Sequence, residues 1–437
     1  MFGYYLDLAL RSFRRSIVLT ALMVLAIALG IGASMTTLTL FHVLSGDPIP
    51  QRSAQLFYVQ LDAEGKSDYT PGAEPNIQLT RFDAEALLRE KRATRQAVMS
   101  GGFAPLQTGD GSAVGLDGTF PQLRYTSADF FPMFDVPLRY GRAWSEADDQ
   151  GRARVAVISS ELNQAMFSGA DSTGRTLRVA GHDLRIVGVL APWRPTPRFY
   201  DLNLRDAYSG AETVYLPYST SRDLKLARSG TMDCWADANG DPTALGAPCT
   251  WLQYWVELDN PGAVRAYREY LDAYSDRQHA AGRFERPVNT RLRSVMEWLD
   301  FNKVVPSDVR LQLWLAFGFL LVCLVNAVGL LLAKCLKRAP EIGVRRALGA
   351  ARRDIFAQFV VEAGVVGLAG GALGLLLALG GLWVIRQNPA SYAQLAHLDA
   401  AMLLATFALA LVASLLAGLL PAWRACGVTP ALQLKSQ

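Results

Sequence analysis

Histidine is scarce in this chain: four in 437 residues. His42, His182, His279 and His397 are scattered, and no two stand at the His-x-x-x-His spacing that turns imidazoles toward one metal from a helix face. No serine occupies a Gly-x-Ser-x-Gly elbow, so the strained turn that presents a hydrolase nucleophile is missing too. The five cysteines fit no zinc spacing. One Gly-Lys-Ser occurs, at Gly65, Lys66 and Ser67, but Gln60 stands where a phosphate-binding loop needs its first glycine. Asp237, Asn239 and Asp241 open like a calcium loop, yet the closing glutamate does not follow, and they read as a turn. These absences exclude the commonest hydrolase, ATPase and metalloprotein patterns, and we expect no catalytic residue, metal or cofactor in the chain itself.

Charge is the other shortage. Only 19% of residues are charged against 51% hydrophobic, and the apolar residues are bunched. Residues 17–40, 311–333 and 400–423 carry no charge, and 355–385 carry only Glu362. Each run exceeds the roughly 20 residues that cross a hydrocarbon core of ~30 Å, which predicts four transmembrane helices. The first run has the basic start of a signal peptide. It is about twice as long as the roughly 7–15 residues of a signal core and lacks an evident cleavage site, so it reads as an uncleaved anchor.

Orientation follows from where the basic residues fall. Twelve of the 43 Lys and Arg flank the runs: Arg11, Arg14 and Arg15 before the first, seven between 334 and 353, and Arg424 and Lys435 after the last. Basic residues at span ends resist translocation, so both termini are expected inside and residues 46–305 and 387–399 outside. The net charge of +4 then needs no nucleic-acid partner. The expected order is a cytoplasmic amphipathic segment and first span at 1–45, an extracytoplasmic domain at 46–305 and a second span at 306–337. A cytoplasmic coupling loop at 338–354, a third span at 355–386, an outer loop at 387–399, a fourth span at 400–424 and a cytoplasmic tail at 425–437 complete it. The fold class is thus membrane α-helical with a large α+β domain between the first and second spans.

Within that domain, residues 55–61 alternate like a strand, 80–95 have helical spacing and 97–103 read as a strand again. The same order recurs at 251–258, 261–279 and 288–295. Two such βαβ units, at about 50–121 and 250–300, combine into one split βαβ sheet. The residues between them, about 122–249, form a β-rich insertion, with 192–246 expected to be loops. Cys234 and Cys249 fall there, and in an oxidising compartment they would pair and close a loop of about 15 residues, worth on the order of 3 kcal/mol. Two free thiols are the alternative. Cys323, Cys335 and Cys426 lie in or beside the spans.

The most informative stretch is Glu341-Ile-Gly-Val-Arg-Arg-Ala-Leu-Gly-Ala350. Pro340 suits a first helical turn and Gly349 a left-handed helix end, so a short helix is expected between two spans. With Gln358-Phe-Val-Val-Glu362, Gly370-Gly-Ala-Leu-Gly374 and Pro421-Ala-Trp-Arg424, it resembles the signature of MacB/FtsX-type ABC transporter permeases. Tyr125-Thr-Ser-Ala-Asp-Phe-Phe131, Val136-Pro-Leu-Arg-Tyr-Gly-Arg142, Val155-Ala-Val-Ile-Ser159 and Gly174-Arg-Thr-Leu177 resemble the periplasmic core domain of the same family. The resemblance implies a bacterial inner-membrane permease subunit that works as a dimer of identical or homologous chains. It would relay ATP-driven motion to its periplasmic domain to export a periplasmic or membrane-derived substrate, with a periplasmic adaptor and an outer-membrane channel as further partners. MacB carries its ATPase on the same chain. Here ATP and Mg are expected on a separate cytoplasmic ABC ATPase. A lipoprotein-releasing permease is a close rival, and an FtsX-like regulator of a cell-wall hydrolase is the alternative from another class.

The resemblance assigns ATPase coupling to Glu341, Ile342, Val344, Arg345, Arg346, Ala347, Leu348 and Gly349. Ile342, Val344, Ala347 and Leu348 would fill a groove on the ATPase while the arginines meet acidic rims; a surface helix held to lipid phosphates is the plainer alternative. Gly30, Ser34, Gly367, Gly370 and Gly374 have the small-residue spacing of close helix packing. Asn326 is read as an interhelical hydrogen-bonding residue, and Glu362 as a structural acid, either paired with Arg353, Arg338 or Arg424 or simply protonated.

Overall fold

The computed structural model describes residues 16–67, 69–108, 113–114, 121–203, 206–305, 307–387, 392, 395, 397–398 and 400–426. The expected amphipathic segment with Arg11, Arg14 and Arg15, and the tail with Lys435, lie outside the described residues. The chain forms two compact units, a sheet unit at Gly46–Val304 and a helical unit from the residues on either side of it.

Helix α1 (Ile17–Ser45) opens the helical unit. The sheet unit then begins with β1 (Leu56–Leu61), whose alternate residues serve two cores: Leu56 and Tyr58 join one, Phe57, Val59 and Leu61 the other. Helix α2 (Arg81–Glu90) starts where the Thr80 hydroxyl accepts from the Asp83 amide and stops at Lys91, which is left-handed at φ 47°. It is shorter than the helix expected over 80–95, because Arg95 already begins β2 (Arg95–Phe103). Then come β3 (Gln122–Thr126), α3 (Glu146–Gln150), β4 (Val155–Ile158), β5 (His182–Leu190), β6 (Val214–Pro217), α4 (Tyr218–Asp223) and β7 (Cys249–Glu257). Helix α5 (Pro261–Ala280) is capped by Asn260 with Pro261 in its first turn. Strand β8 (Thr290–Ser294) runs into α6 (Val295–Phe301) through a capping box between Ser294 and Glu297.

Strand order β8-β1-β7-β2 interleaves the two βαβ units, with β1 antiparallel to both β8 and β7, and β7 antiparallel to β2. The intervening segment is no separate layer. The sheet continues through β3, β6, β4 and β5, because β2 pairs with β3 in register from Met99↔Thr126 to Phe103↔Gln122. Gly102 is required there: a Cβ would lie 2.5 Å or less from ring atoms of Tyr125, whose hydroxyl donates to the Ala227 carbonyl at 2.8 Å.

The stretch at 192–246 is not all loop. It contributes β6 to the middle of the sheet, parallel to β3 and antiparallel to β4. It also brings two buried acids, Asp201 and Glu212, to the fully buried Arg124 of β3. Arg198 joins Glu212 at 3.2 Å, the Tyr200 hydroxyl donates to Glu212 at 2.7 Å, and Gln253 donates to Asp201 at 3.0 Å. Four residues of strand cannot display a period, and charges at 198, 201 and 212 look like loop polarity until Arg124 meets them. Cys234 and Cys249 are joined in a disulfide.

The helical unit resumes with α7 (Ser307–Lys337), followed by α8 (Ala339–Ala347), α9 (Arg352–Arg386) and α10 (Ala400–Cys426). Among the described residues α1, α7 and α9 are long and apolar enough to cross a membrane, while the described apolar stretch of α10, Ala401–Leu416, is shorter.

Candidate coupling helix and its anchoring cluster

Helix α8 sits between two long apolar helices as a short connector. It begins one residue before Pro340 and ends at Ala347, after which Leu348 and Ala350 continue the turn by donating to the carbonyls of Val344 and Arg345, each at 3.0 Å. Gly349 closes it at φ 101°, a conformation that favours glycine. Ile342 is 6% exposed and packs with Cys335, Ile355 and Phe359. It therefore anchors α8 to this chain and is not available to fill a partner's groove, since burying one side of a nine-residue helix leaves only the other side outward. That outward side carries Val344, 54% exposed, and Leu348, 83% exposed, with Ala347 exposed beside them. Glu341 and Arg345 pair one turn apart at 2.7 Å, and Arg345 also donates to Gln358 at 3.3 Å. The side chain of Arg346 lies outside the described residues.

Glu362 of α9 is buried, and its carboxylate meets Lys334 through one oxygen and Arg338 at 3.4 Å through the other. Lys334 also reaches the Thr20 hydroxyl at 3.5 Å, and that hydroxyl donates to the Ser16 carbonyl at 3.0 Å. Among the described residues Arg338 is the expected partner in place: Arg353 points outward beside Asp354, and the side chain of Arg424 lies outside the described residues. Lys334 was not legible as a partner, because at the end of a span it looks like one more loop cation.

The small residues divide by neighbour. A Cβ on Gly30 would come within 2.9 Å of Leu320 in α7, and one on Gly370 or Gly374 within 2.8 or 3.1 Å of α1 atoms. Gly367 faces Ser414 of α10. Ser34 donates to a backbone carbonyl of α7. Asn326 does not share this packing. It is exposed, turned off the face of α7 that carries Leu320, Cys323, Ala327 and Leu331 toward the other helices.

The sheet unit holds a cleft of about 800 Å³ between the end of α2 and the helices α3 and α4. Its charges largely serve one another: Lys91 pairs with Glu146, Arg81 with Glu85 at 2.7 Å and Arg152 with Asp223 at 3.1 Å. Burial pushes the Asp149 carboxyl up, though the Ser219 hydroxyl donates to it at 2.7 Å.

Apolar helices of spanning length beside a large α+β unit define a membrane protein with a substantial water-exposed part. Residues 20–274 match the MacB-like periplasmic core domain and residues 313–430 the FtsX-like permease C-terminal domain. The chain belongs to the MacB/FtsX-type ABC transporter permeases. It is 24% identical over 433 residues to the pyoverdine export ATP-binding/permease protein PvdT of Pseudomonas fluorescens, covering 96% of this chain and 57% of that protein. It is 25% identical over 443 residues to the macrolide export ATP-binding/permease protein MacB of Rhodospirillum rubrum, covering 100% of this chain and 61% of that one. The chain thus spans about three fifths of the length of these relatives. Among solved structures, the periplasmic region of MacB from Actinobacillus actinomycetemcomitans aligns with 56% of this chain and 92% of its own, at a TM-score of 0.36 and 14% identity.

Proposed function

We propose that this chain is the permease subunit of a mechanotransmission transporter. Motion driven by ATP hydrolysis on a separate cytoplasmic ATPase enters through α8 and passes along the spans to the periplasmic domain, which drives export of a periplasmic or membrane-derived substrate. In this reading α10 is the fourth span, the protein lies in the bacterial inner membrane with both termini cytoplasmic, and a second permease chain, identical or homologous, completes the complex. A periplasmic adaptor and an outer-membrane channel would receive the substrate.

The observation that supports it most is the two-sided character of α8. Ile342 fastens one side to the chain's own helices, while Val344 and Leu348 remain outward with Arg345 near them. A helix that needed only to lie on lipid would have no need of a buried anchor. Truncation or charge reversal at a few anchors in so small an interface commonly costs about 2 kcal/mol or more. Leu348→Asp and Arg345→Glu should each insert and fold normally but lose ATPase copurification and transport-linked ATP hydrolysis. If both variants keep ATPase binding and full hydrolysis, α8 does not dock the ATPase.

A further inference from the structure

Helix α8 is held differently at its two ends. Beyond its last turn stands Gly349, without a side chain to grip anything. Before its first turn stands a cluster of charges. Glu362 is 1% exposed, and its two oxygens are occupied from either side of the α7–α8 junction, by Lys334 of the last turn of α7 and by Arg338 immediately before α8. An ionised group inside a spanning segment persists only when it is paired, because the low dielectric penalises a lone charge, and such groups are rarely idle. The Arg338 carbonyl accepts from the Ile342 amide at 3.0 Å, so holding Arg338 holds the first turn of α8. Lys334, 4% exposed, reaches on to Thr20 near the start of α1. The carboxylate of α9 is therefore shared by the end of α7 and the residue that leads into α8, and Lys334 carries the link on to α1.

We propose that Glu362 is a positioning residue for coupling: it pins the start of α8 to α9 and, through Lys334, to α7 and α1. A displacement of α8 then moves these helices together, the ion pairs fixing the start of α8 where the apolar packing of Ile342 alone would let it slide. This rests on α8 being the docking helix, but the pin belongs to this chain alone and is measurable with no ATPase present.

The test uses the full chain in lipid nanodiscs with Cys323, Cys335 and Cys426 replaced by alanine. Spin labels go on Val344→Cys in α8 and Leu22→Cys in α1, positions 54% and 50% exposed. Double electron–electron resonance then reads the spread of distances between them. Glu362→Gln and Glu362→Lys should each widen that spread. The exchanged set, Lys334→Glu and Arg338→Glu with Glu362→Lys, should narrow it again, because opposite charges then face each other at both contacts. A spread unchanged in Glu362→Gln overturns the proposal, and so does an exchanged set as wide as Glu362→Lys, which would show loss of packing and not of an ion pair. With the ATPase that copurifies with the unaltered chain, Glu362→Gln should keep binding while permease-stimulated hydrolysis is lost. Full stimulation in that variant overturns the coupling role. Loss of binding only in Leu348→Asp concerns docking and leaves the pin standing.

Discussion

Ser34 donates its hydroxyl to the backbone carbonyl of Ala316, 3.1 Å away and buried, tying α1 to α7. It lies one turn from Gly30, whose missing side chain lets Leu320 and Cys323 close in. Hydrogen bonds between helices in lipid are individually modest, averaging roughly 0.6 kcal/mol, so close backbone approach carries more of the packing.

That approach makes glycine substitutions unequal. Gly370→Val places a Cβ 2.8 Å from Ile27, whereas a Cβ on Gly364 would meet nothing within 4 Å. Overpacking of this kind typically costs about 1–3 kcal/mol. Denaturant unfolding of the purified chain should show that loss for Gly370→Val and a near-neutral Gly364→Ala.

The disulfide closes 15 residues of chain separation at the edge of β7. In the loop-entropy account its removal costs about 3 kcal/mol. A non-reduced digest should yield the Cys234 and Cys249 peptides joined, and Cys234→Ala should lower the unfolding midpoint; two free thiols in fresh membranes would contradict the bond.

Burial alone pushes the Asp201 and Glu212 carboxyls up, but Arg124 and then Arg198 outweigh it and hold both below their ordinary values of 3.8 and 4.5. The unfolded chain therefore takes up these protons first. The stability they contribute is complete above those ordinary values and is lost as pH falls through the lower folded-state values. Unfolding monitored by tryptophan fluorescence should show stability dropping below about pH 4, and less steeply in an Asp201→Asn, Glu212→Gln double variant. At neutral pH, Arg124→Met should cost about 3–5 kcal/mol, because it leaves two buried acids under-compensated.

Topology has a direct check. A cysteine at the exposed Ser168 should react with an impermeant reagent in intact spheroplasts, and one at Ala350 should not. Labelling at Ala350 would reverse the orientation proposed from the basic residues.

Features with a local period or a local cap were legible in the sequence. Strand β1 declares itself by alternation and α5 by Asn260 and Pro261 followed by spaced apolar residues. What escaped depends on tertiary approach. Val214–Pro217 is too short to alternate, so its central place in the sheet is set by β3 and β4 on either side. Lys334 and Glu362 are 28 positions apart, and they meet only because α7 and α9 both pack along α1, which brings the end of one to the start of the other. Ile342 belongs to the same set of apolar residues as Leu348 by composition, and which of them faces inward is decided by Cys335, Ile355 and Phe359.

Strand β2 is shared lengthwise. Its first half, Arg95 to Met99, pairs with β7, and its second half, Met99 to Phe103, with β3. It acts as a splint laid across a joint. To bend the periplasmic domain at that joint, a load would have to shear a backbone ladder on one side or stretch a continuous strand on the other. Arg228 and Ser229 pair along the other edge of its second half, so bending at that joint would disturb three ladders at once.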